Sequence, residues 1–186
     1  MNVKNLIISF LLLIILTLFT PQALAEEKLS GSSASFAAIL KLQEEDPRAQ
    51  ILKKYLLAHD SPLAPYASTF VDEADQYNID WRLVVSISGV ESTFGKAEPA
   101  NCNNSWGYGI YGDTLTCFTS YNEAIHTISQ ALRVKYMDDW DAQDVYAIGH
   151  YYAASPTWAS RVTFFMNDIE TFRASINDNR PLSISL

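Results

Sequence analysis

The chain has 186 residues, 48% hydrophobic and 18% charged, with 7 Gly and 7 Pro. That balance suits one globular domain and excludes a disordered or collagen-like chain. The formal charge of −8 argues against a nucleic-acid partner, because phosphate binding needs clustered Lys and Arg. It also disfavours adhesion to anionic lipid, and it leaves neutral ligands such as sugars open.

Lys4 stands before a largely apolar run from Leu6 to Thr20. Pro21 breaks the run, and Ala23-Leu24-Ala25 precedes Glu26 as a small-x-small cleavage site. A basic start, an apolar centre and such a site make a secretory signal peptide over residues 1–25. The run is short for a transmembrane helix, which needs about 20 apolar residues. The expected location is therefore outside the cytoplasm, with no stable membrane insertion after cleavage. Two cysteines, Cys102 and Cys117, remain in the exported part, and an isolated pair there reads as a disulfide. Closing a loop of about 15 residues contributes roughly 3 kcal/mol in the chain-entropy view. His59, His126 and His150 lack the close spacing of a zinc motif, so no metal is expected, and no cofactor motif is present.

Glu26 to Ser35 is a polar, Ser-rich lead-in, and Phe36 to Leu42 a short apolar helix. Asp46-Pro47 places a cap before a first-turn proline, and Ile51, Tyr55 and Leu56 form a stripe. A turn at Ser61 to Pro65 leads into a helix from Pro65 to about Tyr77. Asp80 caps the next helix, Trp81 to Phe94, which Gly95 ends. Lys96 to Thr119 holds both cysteines and most of the remaining glycines, which predicts a loop with a small β-hairpin near Tyr108 to Phe118. Ser120-x-x-Glu123 is a capping box before a helix to about Tyr136. Asp141 is expected to cap a helix through Tyr152. Ser155-Pro156 opens the last helix, to about Ile176, and 177–186 is a tail. The fold class is mainly α: residues 26–60 as lead-in and helices, then 61–176 as the main domain with one loop or hairpin lobe.

At 100° per residue, Val84, Ile87, Glu91 and Phe94 share one face of the Trp81 helix. A carboxylate inside an apolar stripe is costly when ionised, so its pKa rises, and the helix C-terminus raises it further. That suits a general acid, such as the one that protonates a leaving oxygen in glycoside hydrolysis. The alternative is a structural Glu paired with Arg82 or Arg161, or one reaching solvent at the helix end. Downstream, Trp106-Gly107-Tyr108-Gly109-Ile110-Tyr111-Gly112-Asp113 joins glycines, which allow close backbone approach, to aromatic faces on which sugar rings stack. The same segment can equally be a hairpin that caps the core.

Four segments then come in order: Glu91-Ser92-Thr93-Phe94-Gly95; Asn103-Asn104-Ser105-Trp106-Gly107; Phe118-Thr119-Ser120-Tyr121 with Glu123; and Tyr152-Ala153-Ala154-Ser155-Pro156-Thr157-Trp158-Ala159. Together they resemble the motifs of the bacterial glucosaminidase family, whose members share a lysozyme-like helical fold. The resemblance covers about residues 70–169. It implies an endo-β-N-acetylglucosaminidase-like activity on peptidoglycan, with Glu91 as catalytic acid and Tyr152 lining the cleft beside it. It also implies Trp106 and Gly107 on the cleft wall, and Tyr108, Tyr111 and Trp158 are expected to contact substrate. Ser155 stands where the family often has Asp, and Glu123 lies closer to Tyr121 than the family spacing. The stretch from Tyr77 to Phe94 also resembles lytic transglycosylases of the same wider fold.

Two-carboxylate hydrolysis needs a second acid. Asp113, Glu98 and Glu123 are candidates, Asp113 foremost because it leaves the Gly-rich loop; as bland alternatives, Asp113 is a turn residue and Glu123 a cap. His126 and His150, in helices without a triad pattern, read as structural. The expected protein is a monomeric exported glycosidase. Lytic transglycosylation and non-catalytic glycan binding are the competing readings.

Overall fold

Asp46 caps the first helix as its position before Pro47 demands: its carboxylate accepts the Arg48 backbone N–H at 2.8 Å. This helix, α1 (Pro47–Ala58), buries Ala49, Ile51, Leu52, Tyr55 and Leu56. The computed structural model describes residues 46–109 and 115–178, all within one compact unit. The signal segment, the lead-in, the Phe36–Leu42 helix, the stretch 110–114 and the last eight residues lie outside the described part.

A 3-10 turn, Ala64–Tyr66, precedes α2 (Ala67–Tyr77), so Pro65 occupies the tight turn and the α-helix starts two residues later than expected. Helix α3 (Leu83–Ser92) follows. It is shorter than the expected Trp81–Phe94 helix and its N-cap is Arg82, not Asp80; Asp80 instead closes the turn before it, accepting the Arg82 N–H at 2.9 Å. Its carboxylate also pairs with the Arg82 guanidinium at 2.5 Å, and Arg82 reaches Glu170 at 3.4 Å. Arg82 is therefore committed elsewhere and is not the partner of Glu91.

Helix α4 (Tyr121–Gln130) begins at the expected capping box, with the Ser120 hydroxyl accepting the Glu123 N–H at 3.2 Å. The Glu123 carboxylate returns to the Thr119 N–H at 2.7 Å, one residue earlier than in the usual box. The helix then widens into a π-helical run, Ala131–Asp139. Asp141 does not cap the next helix. It adopts a left-handed φ of 55° in the connecting loop, and Asp144 is the cap, accepting the Ala147 N–H at 2.8 Å. Helix α5 (Val145–Tyr152) is short, and α6 (Trp158–Asp178) is the longest described.

In the middle lies α3, packed along α6 and against α2 and α4. Leu83 to Gly89 are all buried. The expected apolar stripe is thus an all-round buried helix, and Glu91 is its one charged residue. Gly89 permits the packing: a Cβ there would lie 2.7 Å from the Phe94 ring and 3.1 Å from that of Phe165. A hydrogen bond of 2.8 Å from the Tyr55 hydroxyl to Asp168 ties α1 to α6. Among the described residues no strand occurs; the lobe from Lys96 to Thr119 is loop wherever it is described. No described helix is long and apolar enough to cross a membrane.

Candidate active site

Helix α3 stops abruptly just past Glu91. Thr93, Phe94 and Gly95 take successive left-handed φ values of 54°, 58° and 84°. A β-branched Thr in that region costs about 1–3 kcal/mol and persists only where neighbours enforce it. Three bonds enforce it. The Phe94 N–H reaches back to the Ser88 carbonyl at 3.0 Å. The Ser61 hydroxyl donates to the Phe94 carbonyl at 2.8 Å. The Ser92 hydroxyl accepts the Gly95 N–H at 2.8 Å. The helix end is thereby rigid, and Glu91 emerges from it into solvent.

Glu91 is not enclosed in the core, as its place among apolar neighbours suggests; its residue surface is exposed. One side of its carboxylate is nonetheless walled. Oε1 accepts the Trp158 indole N–H at 2.6 Å. On the other side Gly107, at φ 63°, passes so close that a Cβ would stand 3.4 Å from Oε2. Desolvation by this wall pushes the Glu91 pKa above the ordinary carboxylate value, against the lowering effects of the Trp158 hydrogen bond and the Arg161 charge. Arg161 donates to the Val90 carbonyl at 2.9 Å and acts on Glu91 through its field.

Trp158 therefore opposes the shift, and its removal has a definite sign. Trp158→Phe deletes a donor that favours the ionised carboxylate, so the Glu91 pKa rises further. If protonated Glu91 is the active form, the basic limb of kcat/KM moves to higher pH. A pH–rate profile of Trp158→Phe with its basic limb unmoved or displaced downward contradicts this reading.

Tyr152 comes to the same place from α5. Its ring stacks on Trp158 at 4.8 Å with 22° between planes, and its hydroxyl donates to the Trp106 carbonyl at 2.9 Å. Burial and the nearby Glu91 charge hold its pKa well above the usual phenol value. It is a neutral donor that fixes the 106–107 backbone beside the carboxylate.

Trp106 does not offer a face to a ligand. It is 0% exposed, its ring packs near Phe70 at 6.1 Å, and its indole N–H donates to the Val84 carbonyl at 2.8 Å. Its apolar bulk drives it into the core, and only its backbone reaches the site. Trp158, 2% exposed, likewise meets the site through its N–H and not through a stacking face. Tyr108 is half-buried against the core. Tyr111 and Asp113 lie outside the described residues.

Asn104, which the sequence marked only as part of a motif, is the organiser of the loop. It is buried, its amide donates to the Tyr108 and Thr116 carbonyls at 2.9 and 2.7 Å, and its oxygen accepts the Trp106 and Tyr108 N–H groups at 3.3 and 3.1 Å. The available signal was an Asn directly before a Gly-rich turn, the setting in which Asx side chains stand in for backbone. Cys102 and Cys117 are joined, with Cα atoms 4.4 Å apart. The Phe118 N–H donates to the Cys102 carbonyl at 2.8 Å. The ends of the loop are thus fixed by a covalent link and side-chain amides.

Of the other acids, Glu98 accepts hydrogen bonds from the Tyr121 hydroxyl at 2.8 Å and the Ser105 hydroxyl at 2.5 Å. It braces the loop from behind. Glu123 is occupied in its cap. His126 bridges Glu73 at 2.9 Å and Tyr77 at 3.3 Å between α2 and α4. A hollow of about 430 Å³ is lined by Tyr146, Gly149, His150, Ala159 and the 153–156 turn, and Glu91 is not among its walls. An open cleft for a polymer need not be an enclosed hollow, so the chemistry at Glu91, rather than volume, marks the site.

No known protein-family model matches the sequence, and none of the curated proteins is similar to it. Among solved structures the chain is similar to Staphylococcus aureus autolysin E. A catalytic mutant of that protein in complex with the disaccharide NAG-NAM superimposes with a TM-score of 0.56 at 18% identity, over 68% of each chain. Its complex with the muropeptide NAM-L-Ala-D-iGlu gives 0.55 at 17% identity, again over 68% of each chain. The fold is a lysozyme-like helical domain, as the resemblance to the glucosaminidase motifs implied.

Proposed function

We propose that the chain is an exported glycoside hydrolase that cuts a β-1,4 bond of N-acetylglucosamine-containing glycan, peptidoglycan above all, with Glu91 as general acid. The carrying observation is the Glu91 carboxyl on a rigid helix end, between the Trp158 N–H and the Gly107 backbone, where desolvation raises its pKa above the ordinary carboxylate value. Such a group gives its proton to the glycosidic oxygen as the bond breaks. The Trp158 N–H then stabilises the carboxylate left behind. The fold shared with autolysin E, solved with a glycan disaccharide and a muropeptide, supports this substrate class. The Cys102–Cys117 bond suits an oxidising compartment, in keeping with a cleaved 1–25 segment.

The second group has two sources. Asp113 remains the protein's candidate. Otherwise the substrate's own N-acetyl group attacks the sugar carbon, a route that needs no second carboxylate. The engagement of Glu98 and Glu123 in other hydrogen bonds also favours a second reading, lytic transglycosylation. There Glu91 serves as acid and then base, and a hydroxyl of the sugar displaces the leaving group.

Mass spectrometry of fragments released from purified peptidoglycan by residues 26–186 separates these routes. Hydrolysis leaves a reducing end that has gained water, which is the expected product. An anhydro end, lighter by one water, replaces hydrolysis with transglycosylation. Binding without any release over hours leaves a non-catalytic glycan-binding domain.

A further inference from the structure

Two exposed aromatic side chains touch each other on the far side of Tyr152. Trp140 is 39% exposed and Tyr151 51% exposed, with ring centroids 4.9 Å apart. The Lys135 ammonium sits 4.7 Å from the Trp140 ring centre. Among the described residues Lys135 has no ion-pair partner. Tyr151 projects from α5, and Trp140 stands in the loop before it, which the chain holds in place. The Ala142 N–H donates to the Tyr136 carbonyl at 2.9 Å. The Gln143 amide donates to the Met137 carbonyl at 2.7 Å. Ala142 is buried as a plug, and Asp141 takes a left-handed φ to make the bend.

This patch is joined to the candidate active site by a row of touching rings. Trp158, bonded to Glu91, stacks on Tyr152; Tyr152 meets Tyr136 at 5.8 Å; Tyr136 meets Trp140 at 5.1 Å. The row places Trp140 within the span of a few sugar residues from the carboxyl.

We propose that Lys135, Trp140 and Tyr151 form a distal subsite for the same glycan strand, the rings taking a sugar face and the ammonium a strand carboxylate. This deepens the proposed function and rests on its substrate class. Sugar rings present C–H faces that lie on aromatic surfaces with polar rims. The ammonium already lies over the indole, so it is placed to meet an anionic substituent on a sugar seated there. Asp139 and Asp141 flank Trp140 in a chain of net charge −8, so the Lys135 ammonium over the ring is the cation that a strand carboxylate would meet there.

The test uses residues 26–186 carrying Glu91→Gln, so that binding is read without turnover. Cosedimentation with insoluble peptidoglycan gives an apparent Kd. Adding Trp140→Ala weakens it about tenfold, and Tyr151→Ala several-fold, the range of anchor residues in an interface. Lys135→Gln weakens binding to peptidoglycan at low salt but not at high salt, and leaves binding to neutral chitin oligomers unchanged. Circular dichroism checks folding, and the variants at exposed Tyr151 and half-buried Lys135 answer should Trp140→Ala fold poorly. Unchanged affinity in Tyr151→Ala and Lys135→Gln overturns the proposal. So does loss of self-association in Trp140→Ala, seen by sedimentation velocity with glycan binding intact, because the patch then joins two copies of the chain. A wild-type protein that releases no fragments, while these variants still weaken binding, removes the hydrolase reading and leaves the subsite standing.

Discussion

Glu91→Gln lowers kcat on purified peptidoglycan by about 10²–10⁴-fold, the usual contribution of a positioned general acid. That is roughly 3–5 kcal/mol of transition-state stabilisation. The substitution is close to isosteric, and the Gln carbonyl can still accept the Trp158 N–H that lies 2.6 Å from the native carboxylate. What it cannot do is release a proton. Stability moves the other way. The folded-state pKa of Glu91 is raised, so the fold favours the protonated form. Stability linked to that form is full below the unfolded pKa and is lost as pH rises through the folded one. At neutral pH the native carboxylate is thus a burden, and the Gln variant unfolds at the same or higher denaturant concentration than the parent. Activity lost without stability lost separates chemistry from folding. A Gln variant that digests peptidoglycan as fast as the parent removes Glu91 from the reaction.

Trp106→Ala costs about 3–5 kcal/mol of folding stability, the range for truncating a buried aromatic. The side chain is fully buried and its indole N–H donates to the Val84 carbonyl in the first turn of α3. Truncation leaves a cavity beside Phe70 and removes the indole hydrogen bond to α3. Against a typical total of about 5–15 kcal/mol, that is a large fraction. Urea unfolding followed by circular dichroism measures it. A cost below about 1 kcal/mol contradicts the core assignment and returns Trp106 to the cleft surface as a ligand contact. Trp106→Phe retains most of the bulk and isolates the hydrogen bond, with an expected cost of about 1–3 kcal/mol.

The helices were legible because their signals are local. Asp46 before Pro47 and Ser120 before Glu123 mark helix starts through side-chain bonds within a few residues. The Asp141 and Asp144 case shows the limit of the same logic. Both precede an apolar run, and the choice depends on the buried Ala142 and on the Gln143 bond that bend the chain between them. For Glu91 the expected rise in pKa holds, but the expected enclosure in the core does not. Periodicity along α3 cannot show that three left-handed residues end the helix and let the carboxyl surface there. The aromatic-glycine segment misled in a specific way. An aromatic beside glycine reads as a ligand platform, yet Trp106 points inward and Trp158 shows the site its N–H alone. Which face an indole turns is decided by packing against distant segments, and a motif does not carry that information.

The central claim is that desolvation by the wall of Trp158 and Gly107 raises the Glu91 pKa above its ordinary value and that the protonated carboxyl is the active form. The direct measurement is a titration of the Glu91 side-chain carboxyl by ¹³C NMR in protein labelled at Glu, with Glu91→Gln identifying the resonance. The raised pKa predicts a midpoint above the ordinary Glu value of about 4.3. The basic limb of kcat/KM should share that midpoint, since the limb reports the essential acid of the free enzyme. A Glu91 midpoint at or below the ordinary value, or a basic limb that titrates independently of it, contradicts the account.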